Sequence, residues 1–266
     1  QVREGSYNHR AAVEGSDEIA QIAAEFNSLT SRLQTTEEAR RRFVSDASHE
    51  MKTPLAGIKL LTDSILQTED IDPATTREFV ADIGDEATRL QRITEDLLRL
   101  TRLDSGVLEP AVPVQVKKVL DRAGRMLQPV AGQREIDLTW QAEEGVVVLA
   151  TEGDIHQILY NLMENAVKYT APGGFVHAAA AARDGWVLMT VEDNGMGIPD
   201  EDMPHIFQRF YRVDKARSRE IGGTGLGLSI VGDTVHRRCG EITVAAREGG
   251  GTVFTVRFKQ AGEVTA

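Results

Sequence analysis

Ile19, Ile22, Phe26, Leu29 and Leu33 follow one another at steps of 3, 4, 3 and 4 residues, the seam spacing of a coiled coil. A seam of that period needs a second helix to cover it. "GSDE" just before it supplies a helix start, with Ser16 or Asp17 as N-cap and acids in the first turn. "TTEEARRRF" continues the helix without a breaker, and Leu55, Ile58, Leu61 and Ile65 resume the apolar stripe. "QTEDIDPATT" reads as a turn in which Asp72 suits an N-cap and Pro73 the first helical position. A second helix is expected to run to about Ser105, since Ile83, Leu90 and Leu97 lie seven apart, as do Ile93 and Leu100; Gly106 ends it. Two helices joined by a short turn make an antiparallel hairpin. One hairpin covers such stripes poorly, whereas two copies cover them as a four-helix bundle. On periodicity alone, a solvated coiled-coil spacer is the competing reading.

From residue 113 the texture changes. β-like runs appear at 136–140 ("IDLTW"), 146–150 ("VVVLA"), 185–193 ("GWVLMTVED") and 252–258 ("TVFTVRF"), and helical patterns at 114–131, 153–169 and 225–237. Strands alternating with helices predict an α/β sandwich, with 106–112 ("GVLEPAV") as the linker. A net charge of −11 argues against a nucleic-acid partner, whose footprint is a basic face. Cys239 is the single cysteine, so neither a disulfide framework nor a cysteine metal site is available. No run of about 18 apolar residues is present to span a bilayer. The polar opening "QVREGSYNHR" suggests a piece of something longer.

Three stretches in the second half carry chemistry. In "NLMENAVKYT" (161–170), Asn161 and Asn165 share a helix face with Lys168 one turn on. Two amides and an ammonium can serve hydrated Mg²⁺ and the phosphates it bridges; taken alone, the pattern is more often a polar surface stripe. "VEDNGMGIP" (191–199) leaves a strand with Asp193 and turns on Gly195 and Gly197. A carboxylate there can accept from an exocyclic amine such as that of adenine, although an Asp-Asn-Gly turn alone is usually only a turn. "GGTGLGLSIV" (222–231) packs four glycines and opens a helix near Leu226, and amides at a helix start bind anions. Its spacing is not the dinucleotide fingerprint. Each stretch is weak alone, but the three in this order are specific.

Residues 155–258 resemble the catalytic ATP-binding domain of sensor histidine kinases. "NLMENAVKYT" is similar to the N box, "DNGMGIP" to the G1 box, "IFQRFYR" to the F box and "GGTGLGLSI" to the G2 box. The resemblance implies a Bergerat (GHKL) α/β sandwich, shared with gyrase, Hsp90 and MutL ATPases. "FVSDASHEMKTPL" (43–55) resembles the H box of the same kinases, and residues 1–36 resemble the second half of a HAMP relay domain. The implied organisation is a multidomain chain. It comprises a HAMP fragment with signalling coiled coil (1–36), a helical-hairpin dimerisation and phosphotransfer domain (37–105), the linker (106–112), the catalytic domain (113–260) and a tail (261–266). ATP and Mg²⁺ are the implied cofactors. Asn161 and Asn165 are assigned to the metal, and Asn161, Asn165, Lys168, Tyr169, Asp193, Gly195, Gly197, Arg212, Gly223, Thr224, Gly225, Leu226 and Gly227 to the nucleotide. The implied partners are a second copy and a response-regulator receiver domain, in the cytoplasmic part of a membrane-anchored sensor.

At roughly 100° per residue, His49 stands about 120° from Phe43 and about 160° from Ala47, so its imidazole points away from the buried stripe. Glu50 can hydrogen-bond one ring nitrogen and raise the nucleophilicity of the other. Thr53, four residues on, shares the face of His49, and the resemblance gives it a water-positioning role in regulator dephosphorylation. Pro54 removes the hydrogen bond to the carbonyl of Glu50 and favours a bend. His9, His156, His177, His205 and His236 lack this context and read as structural or surface. Two departures matter. Asn161 stands where gyrase-type ATPases carry a glutamate base, which favours transfer to a side chain over rapid hydrolysis. Arg238 and Cys239 occupy positions where the family often has small residues. The polar stretch "SREIGGTG" is expected to be a lid. The functional expectation is an ATP-dependent protein-histidine kinase that phosphorylates His49, passes the phosphoryl group to a regulator aspartate and dephosphorylates that regulator. The alternatives are a non-catalytic, nucleotide-switched dimeric scaffold and, less favoured, an ATP-hydrolysing clamp.

Overall fold

The computed structural model describes residues 10–12, 18–68, 71–104, 106, 108–213 and 223–261. Its two compact units divide between Leu90 and Gln91. That point lies inside a helix and not at 106–112. The helix residues past it, among them Asp96 and Asp104, bond to the α/β layer.

The first unit is built on helix α1 (Glu18–Gln67) and the start of helix α2 (Pro73–Asp104). The proposed caps Ser16 and Asp17 lie outside the described residues. Asp72 caps α2: its Oδ1 accepts from the amides of Ala74 (2.8 Å) and Thr75 (3.1 Å). The Thr75 hydroxyl and these amides hold the carboxyl below its ordinary range. Contacts across the hairpin fix an antiparallel arrangement, with Arg89 beside Glu50 and Glu86 opposite Gly57. Residues 10–12 lie along α1, where the Asn27 amide grips both backbone groups of Ala11 at 2.7 and 2.9 Å. A single chain leaves its seams open. Ile58, Leu61, Ile83, Leu90 and Leu97 are only half-buried, and Ile19 is 74% exposed.

In the second unit, β1 (Val112–Gln115) pairs antiparallel with β3 (Val147–Ala150). A five-stranded sheet runs in the order β2 (Asp137–Ala142), β4 (Phe175–Arg183), β5 (Trp186–Asp193), β7 (Thr252–Lys259), β6 (Glu241–Ala246). Only the β2–β4 pair is parallel. Helices α3 (Val116–Gln133), α4 (Glu152–Tyr169) and α5 (Gly227–Arg237) share one core with the sheet. The alternating residues Val176, Ala178 and Ala180 of β4, Val187, Met189 and Val191 of β5, and Phe254, Val256 and Phe258 of β7 supply its floor. Ile155, Ile158, Leu159 and Leu162 of α4 close over it. Burying each such side chain contributes roughly 1.5–3 kcal/mol.

Three strands go beyond the sequence expectation. β1 takes Val112 from the proposed linker and moves the start of α3 from 114 to Val116, because the valines of "VPVQ" pair with β3. β4 contains "AAAAA", a helix-favouring run made extended by strands on both sides. β6, "EITVAA", closes the edge. Past residue 260, Ala261 is still held, its amide donating to the carbonyl of Val147 at 3.0 Å. Arg238 also finds a place: its guanidinium binds Asp154 at 2.7 Å in the first turn of α4, while Cys239 turns the chain at φ +56°.

Candidate functional site

On α1 the His49 side is solvent-facing, with Ala47 buried and Phe43 half-buried on the other side of the helix. The Thr53 hydroxyl donates to the carbonyl of His49 at 3.2 Å, a back-bond typical of Thr within a helix. Pro54 is buried within α1. Glu50 is turned to α2, where its carboxylate lies 3.6 Å from the Arg89 guanidinium.

The second unit holds a cavity of about 530 Å³, within the size range of small-ligand sites. Helix α4 contributes Asn161, Asn165, Lys168 and Tyr169 to its wall. The two asparagines differ in burial. Asn161 is 7% exposed and its Nδ2 donates to the carbonyl of Gly227 at 3.0 Å, tying α4 to the start of α5. Asn165 is only half-buried. Lys168 pairs with Glu164 at 3.3 Å, and Glu164 also lines the cavity.

Asp193 ends β5 at the cavity wall, 5% exposed. Its Oδ1 accepts from the Gly195 amide at 2.8 Å, and the carboxylate also accepts from the Thr252 amide. Burial pushes its pKa up, against the pull of those two amides and of Arg247. Gly195 stands behind the cavity rather than on it. A Cβ there would lie 2.5 Å from the Tyr169 carbonyl oxygen and 2.9 Å from Asp193 Oδ1, so only glycine lets the turn pack against α4. Gly197 lines the cavity next to the apolar Met196 and Ile198.

The third wall is the loop into α5, with Gly223, Thr224, Gly225 and Gly227. Leu226 does not face the cavity. Its side chain is fully buried and its amide is held by Thr224 Oγ1 at 3.2 Å. Thr224 in turn donates to Asp96 of α2 at 3.0 Å. Burial of Asp96 drives its pKa upward. Gly225 has φ +72° and accepts at 2.9 Å from the amide of Phe210, itself at φ +61°. This links the "IFQRFYR" stretch to the glycine loop, and Arg212 of that stretch also lines the cavity. Gly222 and most of the proposed lid lie outside the described residues.

Three of the other described histidines serve locally, and the fourth, His236, is exposed at the end of α5. His156 stacks on Tyr160, His177 bonds Thr139 and His205 bonds Gln208. His9 lies outside the described residues. No group of three or more His, Cys, Asp or Glu side chains among the described residues could hold a metal.

Residues 39–106 match the His Kinase A (phospho-acceptor) domain, and residues 150–262 the histidine kinase-, DNA gyrase B- and HSP90-like ATPase family. The chain belongs to the sensor histidine kinases. Among its relatives, the sensor histidine kinase YkoH of Bacillus subtilis is 34% identical over 247 residues, 93% of this chain and 54% of that protein. The signal transduction histidine-protein kinase BaeS of Escherichia coli is 32% identical over 255 residues, 96% of this chain and 54% of that protein. The chain therefore spans about half the length of these curated relatives. Among solved structures, full-length ShkA in complex with AMPPNP aligns with a TM-score of 0.61 at 29% identity, over 84% of this chain and 47% of that one. The histidine kinase ThkA in complex with the response regulator protein TrrA aligns with a TM-score of 0.68 at 22% identity, over 86% of this chain and 66% of that one, a likeness of fold. The fold of the family is the one described above, a helical phospho-acceptor region followed by an ATPase-type α/β layer.

Sequence reasoning did not single out Arg89, Glu164 or Thr252. Thr252 was findable as the residue that opens β7 directly across from Asp193. Glu164 stood inside a quoted motif. Arg89 has a local partner in Glu86, three residues before it, but its pairing with Glu50 crosses between helices and left no signal in the sequence.

Proposed function

We propose that this chain is the kinase portion of a membrane-anchored two-component sensor, that it phosphorylates His49 from Mg²⁺-ATP, and that it passes the phosphoryl group to an aspartate of a response-regulator receiver domain. The observation that carries the reading is a division of labour. A solvent-facing imidazole with an adjacent acid lies in one compact unit, and a cavity walled by a buried carboxylate and a glycine-rich helix start lies in the other. An acceptor in a separate unit needs an exposed ring, whereas nucleotide recognition needs an enclosed site.

The cavity suits ATP chemically. Asp193 offers acceptor oxygens to an exocyclic amine beside the apolar surfaces of Met196, Ile198 and Phe254. The amides at the start of α5 suit phosphate oxygens, and the absent side chains at Gly223 and Gly225 leave the approach open. Asn165, with Asn161, would hold Mg²⁺, which would neutralise phosphate charge. Lys168 and Arg212 add positive charge at the wall. The rest is positioning. The lone pair of one His49 ring nitrogen forms a bond to the γ-phosphorus as the bond from phosphorus to the bridging oxygen of ADP breaks, and ADP leaves. Glu50 takes or shares the proton of the other ring nitrogen. The receiver aspartate then attacks the same phosphorus and His49 departs. Thr53 serves the reverse task, orienting water for dephosphorylation of the regulator. No helix among the described residues is long and apolar enough to cross a membrane.

Incubation with γ-labelled ATP and Mg²⁺, then acid or base, tests the reading. Base-stable, acid-labile label that vanishes in His49→Ala is expected. Undiminished label on that variant would remove His49 as the acceptor.

A further inference from the structure

Helix α2 sends a carboxylate to the wall of the cavity proposed for ATP. Asp96 lines it together with Gly223, Thr224 and Gly225 of the glycine loop, and its Oδ2 accepts from the Thr224 hydroxyl at 3.0 Å. A negative charge beside a loop that is read as cradling phosphates is electrostatically adverse. A carboxylate kept there needs a role other than its charge. Its place is firm, because the last turns of α2 are anchored to the α/β layer. Asp104 takes two nitrogens of the Arg209 guanidinium at 2.9 and 2.7 Å, and Arg237 of α5 donates to the carbonyl of Leu103 at 2.6 Å.

The hydroxyl that Asp96 engages has one proton to give and two lone pairs to offer. Thr224 gives the proton to Asp96, which leaves a lone pair for the Leu226 amide, a donor to Oγ1 at 3.2 Å. Leu226 in turn opens α5: its carbonyl accepts from the Ile230 amide at 2.9 Å, and its side chain is fully buried. Without an acceptor at Asp96 the hydroxyl is free to turn, and the glycines on either side have little preference of their own. We infer that Asp96 is a positioning residue for nucleotide binding: by accepting the Thr224 hydroxyl it fixes the Leu226 amide, and with it the glycine loop at the start of α5. The loop is thereby ordered from α2. The inference rests on the proposed binding of ATP in this cavity and adds to it a residue from outside the glycine motif.

The test measures binding of a non-hydrolysable ATP analogue with Mg²⁺ to the intact chain by calorimetric titration, beside hydrogen exchange at the Leu226 amide without nucleotide. Asp96→Ala removes the acceptor and keeps α2 intact, since alanine is the best helix former. Asp96→Asn keeps an acceptor oxygen and removes the charge. For Asp96→Ala the Kd should rise roughly five- to fiftyfold, the range set by losing a hydrogen bond to a charged group, and the Leu226 amide should exchange faster. Asp96→Asn should recover most of the affinity. In a Thr224→Val background, Asp96→Ala should cost little more, because the two residues act through one bond. Tighter binding by both Asp96 variants would make the charge the dominant effect and overturn the inference. Equal losses for the Ala and Asn variants, unchanged exchange at Leu226, or additive losses with Thr224→Val would overturn it too. A parent chain that binds no ATP analogue would remove the proposed nucleotide site and the inference with it. A parent that binds, beside an Asp96→Ala that binds equally well, would remove the inference alone.

Discussion

Gly225→Ala puts a methyl group where the glycine loop meets the "IFQRFYR" stretch. The backbone there is left-handed, at φ +72°, which costs a non-glycine residue roughly 1–2 kcal/mol. The new Cβ would also lie 3.0 Å from both Cα and the carbonyl carbon of Phe210. Those neighbours are backbone, and Phe210 is itself left-handed and bonded to the Gly225 carbonyl, so neither can move aside cheaply. Together the strain is about 2–3 kcal/mol. If the loop escapes by leaving its place on the cavity wall, the competent fraction falls and the apparent Kd for nucleotide rises by up to roughly 30- to 150-fold. If it stays, the same strain appears as lost thermal stability. Calorimetric titration with a non-hydrolysable ATP analogue and Mg²⁺, beside thermal unfolding without nucleotide, reads both. Gly84→Ala is the control, since it lies on exposed helix with nothing within 4 Å of the new methyl. It should stabilise the chain by about 0.5–1 kcal/mol and leave nucleotide affinity alone. A Gly225→Ala protein with parental affinity and parental stability would refute the reasoning.

Asp193→Asn should lose nucleotide affinity, because one amide oxygen cannot serve two backbone amides and an adenine amine as a carboxylate can. Burial raises the pKa of Asp193 in the fold, so its contribution to stability is present in acid and is lost as pH rises through the raised value; unfolding without nucleotide should show the Asn variant gaining on the parent from acid to neutral pH, and an unchanged difference would count against the burial argument. Thr53→Ala should keep labelling of His49 and lose regulator dephosphorylation, measured on a phosphorylated receiver domain; equal loss of both would make Thr53 a shaper of the helix at Pro54. Leu90→Asp places a charge in the half-buried seam and should yield monomers or unfolded chain by light scattering, whereas a parent chain with the mass of one subunit would sink the proposed dimer.

The helices were legible because their signals are local. Asp72 and Pro73 announced the start of α2 by capping chemistry alone, and the absence of any breaker carried α1 through the charged stretch before His49. The strands that escaped were those whose identity depends on neighbours. Nothing local makes "FVHAAAAAR" extended; it becomes β4 because β2 and β5 take up its backbone groups on both sides. "VPVQ" became a strand only through its pairing with β3. The compact division at Leu90 was hidden for a related reason, since one unbroken helix supplies residues to both units.

The candidate site was legible to the degree that its residues sit in short ordered motifs, and illegible where one motif serves another. Asn161 and Asn165 look equivalent at four-residue spacing. In the fold, one is half-buried at the cavity, while the other is buried and places its amide on the carbonyl of Gly227. Thr224 shows the same division. It lies at the cavity wall, yet its hydroxyl holds the Leu226 amide and reaches Asp96. These bonds hold the glycine loop to rigid helices, which matters because a loop of four glycines has little preference of its own for one shape. The polar residues beside the glycines thus supply the order that the glycines lack, so that a phosphate-sized opening at the start of α5 is compatible with a defined wall.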